Sequence, residues 1–333
     1  MQVRRDEAGR FQGRPEEFFS ISIHTLRLDE VTDFDLYLRP PSDGAEAVLY
    51  RQRSLPFDEA CLERLRATAV NAVYVSTSQR GQYQRYLERN LGNILKDPSV
   101  PLEERSSRLY DSAQGLVREV LEDPRSGDLV ARSGELVEHM VRFLYAESAS
   151  FHHLMRITAY DYYTYTHSVN VFVYATALAQ HQGHDEATVR RLGQGALLHD
   201  IGKSLIDPEV TNCKGRLTPE HWKQMRLHPG HGYDLLMEQG YRDPIGLDVV
   251  RHHHEKLCGH GYPDGLRADE VTRWARVAAI ADIFDALTTR RSYKEAMSTY
   301  QALQLMNREM KEELDMGFFR EFVTMMGRHA SQE

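Results

Sequence analysis

Strand-like patterns occur only in the first quarter of this 333-residue chain, and the periodic segments beyond them are helical. Short runs between Ile21 and Ser76, namely ISIHTLRL, DFDLYLRP, EAVLYRQR and AVYVST, cluster β-branched and aromatic residues. One amphipathic helix, PFDEACLERLRAT, interrupts them, with Phe57, Cys61 and Leu65 at four-residue spacing. The pattern predicts an α+β chain, in which a small α/β module precedes an all-α domain.

Changes of pattern suggest where the parts of the chain meet. Residues 1–18 are charged and contain Gly and Pro, so we expect a flexible arm. Residues 19–100 hold the small α+β module, and residues 101–149 hold helices divided by EDPRSG. We expect these helices to pack against the rest of the chain; transmission of a signal and pairing of subunits in a homodimer are the alternatives. Residues 150–333 form the helical domain.

Composition limits the class of protein. A net charge of −8 disfavours a broad nucleic-acid-binding face, so we expect no DNA partner. Apolar runs are shorter than the ~18 residues that span a bilayer, and the N-terminus lacks an apolar signal core, which predicts no membrane insertion. Three scattered cysteines suit a reducing compartment. Together these features predict a cytoplasmic protein.

Most of the sixteen histidines fall between His152 and His260, and one of them is half of a His-Asp pair in the stretch ALLHDIGK. The apolar stripe of the preceding helix continues by its spacing to His199, which should therefore point inward. A hydrogen-bonded core histidine is the simple alternative. A buried Asp200 beside it would need a partner, because an unpaired buried carboxylate costs several kcal/mol.

Another candidate histidine lies near the segment LTPEH. The sequence predicts a helix with Thr218 as N-cap and Pro219 as its first residue. His228 then follows Trp222 and Met225 by six and three residues, on the expected apolar face. The alternative is a helix-end histidine stabilised by the helix dipole.

Two carboxylates share one face of the apolar segment ARVAAIADIFDALT. Asp282 and Asp285 are three residues apart, and the segment offers no cation near them. Further candidate ligands are His167, the first residue of HSVNVFVYATALA, and the three histidines of RHHHE, residues 252–254. The alternative for residues 252–254 is a loop exposed to solvent. Jointly these groups provide imidazoles and carboxylates without thiolates, which suits Mn, Fe or Zn. They exceed the needs of one ion and suggest a pair of ions, a device typical of phosphoester hydrolysis.

The order H…HD…H…HH…D resembles the HD superfamily of metal-dependent phosphohydrolases. HHEKLCGHGYPDGL followed by IADIFDALTTRRSYKEA is similar to its HD-GYP subgroup, the cyclic di-GMP phosphodiesterases. The resemblance covers about Tyr160 to Ala296. It implies that the all-α domain is an HD-GYP domain.

The resemblance also implies a ligand set for two divalent metal ions. Iron or manganese is the expected metal, with zinc and nickel as alternatives. The first ion would be held by His167, His199, Asp200 and Asp282, and the second by Asp200, His228, His253 and His254. Asp200 would thus bridge the ions, as a carboxylate with two oxygens can.

The implied reaction is hydrolysis of cyclic di-GMP to pGpG, and on to GMP, by a hydroxide activated by two metals. Asp200, Lys203 and Asp285 are the expected catalytic residues. The expected substrate-binding residues are Lys203, Arg291, Lys294 and Tyr262. The resemblance further implies that residues 19–100 regulate the enzyme. It also implies that the GYP loop, the segment around Gly261, Tyr262 and Pro263, docks diguanylate cyclases with the GGDEF signature.

The sequence departs from the subgroup at several positions. Tyr163 stands where some members carry a glutamate for a third metal, so two ions are expected. Cys258, Arg290 and Ser292 replace common residues near the site, and His252 is an additional histidine before the ligand pair. Two other functions stay open: an HD phosphohydrolase for another nucleotide, and a catalytically silent sensor that binds cyclic di-GMP or a protein.

Overall fold

The structure is a computed structural model that describes residues 18–27, 30–38, 47–147, 149–158, 164–213, 215–290 and 296–330. The strands are β1 (Phe18–Ser22), β2 (Glu30–Val31), β3 (Leu36–Leu38), β4 (Val48–Arg51), β5 (Pro56–Phe57) and β6 (Ala72–Ser76). The first helices are α1 (Glu59–Ala67), α2 (Arg80–Lys96), α3 (Leu102–Glu122), α4 (Leu129–Ala146), α5 (Ser150–Ile157), α6 (Thr164–His181) and α7 (Glu186–Leu198). The later helices are α8 (Pro208–Thr211), α9 (Pro219–Met225), α10 (His228–Glu238), α11 (Pro244–His252), α12 (Arg273–Thr288), α13 (Thr299–Glu309) and α14 (Met316–Ala330).

The chain divides into two compact units, Met1–Arg108 and Leu109–Glu333, and α3 runs through the division. All six strands lie in the first unit, and the described part of the second unit is helical apart from an isolated bridge between Cys258 and Arg267. The α+β fold class is confirmed. Within the described ranges, no helix is both long enough and apolar enough to cross a membrane.

A four-stranded antiparallel sheet organises the first unit, in the order β1-β6-β3-β4, and β2 pairs with β5 separately. Its core contains Phe34, Tyr86 and the inward residues of β6, Val73 and Val75. Helix α1 begins where the Asp58 side chain accepts a hydrogen bond from the backbone N–H of Cys61. This unit is therefore a small module with its own core.

Helix α6 is the centre of the second unit. Residues 166–179 are all buried, so the helix is covered on every face, and it packs against α7, α12, α5 and α14. Helix α7 in turn contacts α4 and α11. Close approach of α7 and α11 depends on Gly195, because a Cβ there would lie 2.7 Å from the backbone of Gly246. This bundle brings α6, α7, α11 and α12 together and so positions the site.

Candidate metal centre and cleft

Seven polar side chains converge in the second unit, and they are the seven that were expected to bind metal. Their candidate ligand atoms form three overlapping groups, and within each group the atoms lie within 4.8 Å of one another. The groups are His167 with His199 and Asp282, His199 with Asp200 and His253, and His228 with His253 and His254. The middle group shares residues with both outer groups, so the arrangement offers two adjacent sites.

Asp200 lies between the two outer groups. Its Oδ2 atom is 3.6 Å from Nε2 of His167 and 3.4 Å from Nε2 of His199. Its Oδ1 atom is 3.3 Å from Nε2 of His228 and 4.0 Å from Nε2 of His253. Each carboxylate oxygen thus faces a different group of imidazoles, which is the geometry that a bridging ligand needs.

Helix ends place five of the seven side chains. His199 and Asp200 follow α7, His253 and His254 follow α11, and His228 begins α10. The turn after Asp200 packs tightly on the start of α10. A Cβ on Gly202 would lie 1.9 Å from the carbonyl oxygen of His228, and only glycine permits this approach.

The helical context predicted for His228 is wrong. Thr218 does cap α9 by accepting a hydrogen bond from the N–H of His221, but α9 ends at Met225, and His228 is the first residue of α10. Trp222 is half exposed and α9 has no buried residue, so the predicted apolar face does not exist. His228 itself is 1% exposed and belongs to the cluster.

Hydrogen bonds fix the tautomer of three of these imidazoles. Each places its Nδ1 against a backbone carbonyl oxygen: His199 with Ala196 at 2.7 Å, His228 with Met225 at 2.7 Å, and His253 with Val250 at 3.0 Å. A carbonyl oxygen can only accept, so Nδ1 carries the hydrogen. Each Nε2 therefore presents a lone pair to the cluster, as a metal ligand must.

These lone pairs lack a proton donor among the described residues. Nε2 of His228 and Nε2 of His253 lie 3.2 Å apart, although both are acceptors. The buried atoms His199 Nε2 and Asp200 Oδ1 have no hydrogen-bond partner in the described ranges. Unpaired buried acceptors are unfavourable, and a cation would satisfy them. The nitrogen and oxygen ligands fit a divalent metal centre of the Mn, Fe or Zn type rather than a thiolate zinc site.

Burial and neighbouring charges keep two carboxylates of the cluster ionised and lower the pKa of three of its imidazoles, those of His228, His253 and His254. Burial opposes ionisation of Asp200, but the Lys203 ammonium holds the pKa of its carboxyl well below the usual range. The pKa of Asp282 is also lowered, chiefly by His167, against the effect of burial. Burial lowers the pKa of His254 to about 3. Neutral imidazoles and ionised carboxylates are the forms that bind metal.

Asp285 lies behind His167 and does not join the three groups. Its Oδ2 accepts a hydrogen bond from Nδ1 of His167 at 2.7 Å. Its Oδ1 accepts from Asn170 at 2.7 Å and from Thr289 at 2.9 Å. The side chain is fully buried, so Asp285, which we expected to be catalytic, is placed where it orients His167.

A cleft of about 530 Å³ opens beside the cluster. Its lining includes His253, His254, Asp282 and the expected substrate residue Tyr262, whose ring centroid is 4.8 Å from that of His254. Lys203 is not in this lining, and its Nζ lies 2.6 Å from Oδ2 of Asp200. Tyr262 is thus at the cleft, and Lys203 neutralises the central carboxylate.

Two further residues of the cleft have no role predicted from the sequence. Trp222 and Arg226 line it, and the Arg226 guanidinium stands 5.3 Å from the centroid of the Tyr262 ring. No carboxylate in the described residues pairs with Arg226. Arg226 could have been suspected from its position two residues before His228. The sequence pattern placed both residues in one helix, so Arg226 was not recognised as a residue of the cleft.

Glu255, the last residue of the HHE motif, is a third residue that was not assigned a role. It is 4% exposed, and its carboxylate accepts hydrogen bonds from three backbone N–H groups, those of Asp264, Gly265 and Leu266. It therefore fixes the loop that follows Tyr262. His252 lies on the outside of this loop, bonded to Asp248 and to Asp264, apart from the ligand groups.

Residues 1–17 of the expected arm lie outside the described residues, as do Tyr163, Arg291, Ser292 and Lys294. Cys258 is described, as a partly exposed free cysteine that forms the bridge to Arg267.

Comparisons with known proteins agree with this arrangement. A family model described as "HD domain" matches residues 135–317. Cyclic di-GMP phosphodiesterase PA4108 of Pseudomonas aeruginosa is 31% identical over 282 residues, which cover 81% of this chain and 68% of the relative. The 3'3'-cGAMP-specific phosphodiesterase 3 of Vibrio cholerae is 33% identical over 153 residues, 46% of this chain and only 33% of the relative.

A solved structure shares the fold. Bd1817, a HDG"Y"P protein from Bdellovibrio bacteriovorus, superposes with a TM-score of 0.65 over 93% of this chain and 99% of the other, at 22% identity. At this identity the similarity speaks for the fold alone. The family match covers more than half of the chain, and the Pseudomonas relative matches across most of it. The chain therefore belongs to the HD domain family, and to the HD-GYP type within it.

Proposed function

We propose that the chain is a metal-dependent phosphodiesterase that hydrolyses cyclic di-GMP. One observation carries the proposal: imidazole lone pairs and ionised carboxylates meet around Asp200, beside a cleft of about 530 Å³. A cluster that only stabilised the fold would satisfy its own acceptors, whereas this one leaves them for a ligand. The Pseudomonas relative, matched over 68% of its length, is named for this activity.

Two divalent ions are the proposed cofactors, with iron or manganese favoured and zinc and nickel as alternatives. His167, His199 and Asp282 would hold the first, His228, His253 and His254 the second, and Asp200 both. Bound there, the ions supply a water of lowered pKa and positive charge for the phosphoryl oxygens.

The protein's own residues orient the substrate and the ligands. Tyr262 and Arg226 at the cleft would contact a guanine base or a phosphate, since an arginine fork suits either acceptor. Arg291 and Lys294 are proposed to bind phosphate as well. Asp285 positions His167, and Lys203 supplies positive charge beside Asp200. Neither is assigned a proton transfer.

In the proposed reaction, water adds its oxygen to phosphorus while the bond from phosphorus to the sugar O3' breaks. The leaving O3' gains a proton, and the product of the first cleavage is linear pGpG. A second hydrolysis of the same kind would give GMP. We further propose that residues 19–100 regulate this activity and that diguanylate cyclases contact the rim of the GYP loop.

A second substrate, 3'3'-cGAMP, is favoured by the Vibrio relative named for it. It shares the two phosphodiester bonds and one guanine with cyclic di-GMP. The two substrates are distinguished by the base that occupies the cleft, so their turnover must be compared directly.

The test is a chromatographic assay of the full chain with Mn²⁺ or Fe²⁺, given cyclic di-GMP and 3'3'-cGAMP in parallel. We expect pGpG from cyclic di-GMP, and its loss in Asp200→Asn. The matched control is Asp207→Asn, because Asp207 is a nearby exposed N-cap and asparagine caps equally well. Turnover of 3'3'-cGAMP without turnover of cyclic di-GMP would show that 3'3'-cGAMP is the substrate instead. Metal binding without turnover of either would favour a silent sensor.

A further inference from the structure

A chain of buried hydrogen bonds connects helix α3 to the candidate metal centre. The Tyr110 hydroxyl donates to Oδ1 of Asn170 at 2.6 Å. The Asn170 amide donates to Oδ1 of Asp285 at 2.7 Å, and Oδ2 of Asp285 accepts from Nδ1 of His167 at 2.7 Å. Tyr110 is 5% exposed and the others no more than 2%.

The donors and acceptors along this series of hydrogen bonds can be arranged in only one way. The Asp285 carboxylate can only accept, so it requires the NH₂ side of Asn170 and the Nδ1 hydrogen of His167. Asn170 must then turn its oxygen towards Tyr110, whose hydroxyl is able to donate. Each bond sets the orientation of the next. Because Asp285 takes Nδ1 of His167, the ring atom left for a metal is Nε2, which lies 3.0 Å from Oδ1 of Asp282.

We infer that Tyr110 is a positioning residue for the metal centre, acting on His167 through Asn170 and Asp285. The inference rests on the proposed metal site. Tyr110 lies outside residues 135–317, which match the family model, so the match gives it no role. The side chain joins α3 to a ligand on α6 across 57 residues of sequence.

A plain structural role for Tyr110 makes a different prediction, and Tyr174 provides the control for it. Tyr174 is also a buried tyrosine, 4% exposed, and its hydroxyl is bonded to Oγ1 of Thr158 at 2.9 Å. Thr158 meets Asn170 through a different atom, its carbonyl oxygen, at 3.4 Å, so the Tyr174 hydroxyl makes no bond to the residues that orient His167. Tyr110→Phe and Tyr174→Phe each remove one hydroxyl from the interior. Loss of packing or of a buried hydrogen bond would affect both variants alike.

The experiment measures Mn²⁺ affinity, from the electron paramagnetic resonance signal of free Mn²⁺, on the full chain and its variants. We expect Tyr110→Phe to raise the dissociation constant about 3- to 10-fold, and Asn170→Ala about 10- to 100-fold, as for outer partners of metal ligands. Tyr174→Phe should leave it unchanged. The double variant Tyr110→Phe/Asn170→Ala should bind no more weakly than Asn170→Ala, because Tyr110 acts through Asn170.

Equal affinities of Tyr110→Phe and Tyr174→Phe, or additive losses in the double variant, would overturn the inference. If Tyr110→Phe does not fold, Tyr110→Leu takes its place in the same comparison, because it also removes the hydroxyl, and Tyr174→Leu becomes its control. The affinity readout also separates this inference from the proposed function. A wild-type chain that binds Mn²⁺ but hydrolyses nothing contradicts only the function, and active variants with unchanged affinity contradict only the role of Tyr110.

Discussion

The Nε2 atoms of His228 and His253 face each other at 3.2 Å, although each ring gives its Nδ1 hydrogen to a carbonyl oxygen of its own backbone segment. Two neutral imidazoles in this arrangement present lone pair to lone pair. The contact is unfavourable unless a positive charge lies between or beside them. This pair of residues is the clearest sign that the cluster is shaped for a cation.

Replacing one imidazole of this pair should remove one metal ion. We expect His253→Ala to lower the metal content measured by plasma mass spectrometry from two ions per chain to about one, and turnover by at least about 100-fold. The neighbouring His252→Ala is the control, because His252 bonds Asp248 and Asp264 outside the ligand groups. The opposite pattern, with metal lost from His252→Ala and both ions retained in His253→Ala, would refute the assignment of His253 as a ligand.

Metal removal should destabilise the second unit. An ion present at 100 times its dissociation constant stabilises the folded chain by about 2.7 kcal/mol, and removal also restores the repulsion among the buried lone pairs. We expect calorimetry to show a lower melting temperature with chelator and full recovery on adding Mn²⁺. An unchanged melting temperature at saturating Mn²⁺ would mean that the folded cluster does not bind the ion.

The close approach at Gly202 makes a prediction about stability. Gly202→Ala should destabilise the chain by about 3 kcal/mol or more, because its Cβ would meet the backbone of His228 and the main chain cannot yield easily. Gly230→Ala, where the added Cβ meets no atom within 4 Å, should change stability by less than about 1 kcal/mol. Urea unfolding of the two variants measures the difference, and similar values would contradict the packing described.

The Glu255 carboxylate should be necessary for the order of the GYP loop. Glu255→Gln keeps the size of the side chain but turns one acceptor into a donor opposite backbone N–H groups. We expect a loss of about 1–3 kcal/mol and faster hydrogen exchange at Asp264, Gly265 and Leu266. Glu270→Gln is the comparison, since Glu270 accepts one exposed bond from Arg267. Unchanged exchange in Glu255→Gln would show that the loop is held by other contacts.

The sequence predicted the composition of the cluster better than the contacts around it. His199 and Asp282 could be placed because apolar spacing points their side chains inward, and the motif order supplied the rest. Local periodicity could not show that the helix containing Trp222 stops at Met225, since a break of two residues leaves the spacing nearly intact.

The sequence pattern also could not predict contacts between residues that are far apart in the sequence. Asp285 shares a helix face with Asp282, yet one carboxylate faces the cluster and the other lies behind His167. Tyr110 and Asn170 are 60 residues apart and lie on different helices. Such pairs depend on how α3, α6 and α12 pack, which a single sequence does not specify.

The most direct measurement is anomalous X-ray diffraction from crystals of the full chain grown with Mn²⁺. We expect two anomalous peaks per chain, one among His167, His199 and Asp282 and the other among His228, His253 and His254, with an oxygen of Asp200 bound to each. A single peak that Asp200 does not touch, or no peak within this cluster, would contradict it.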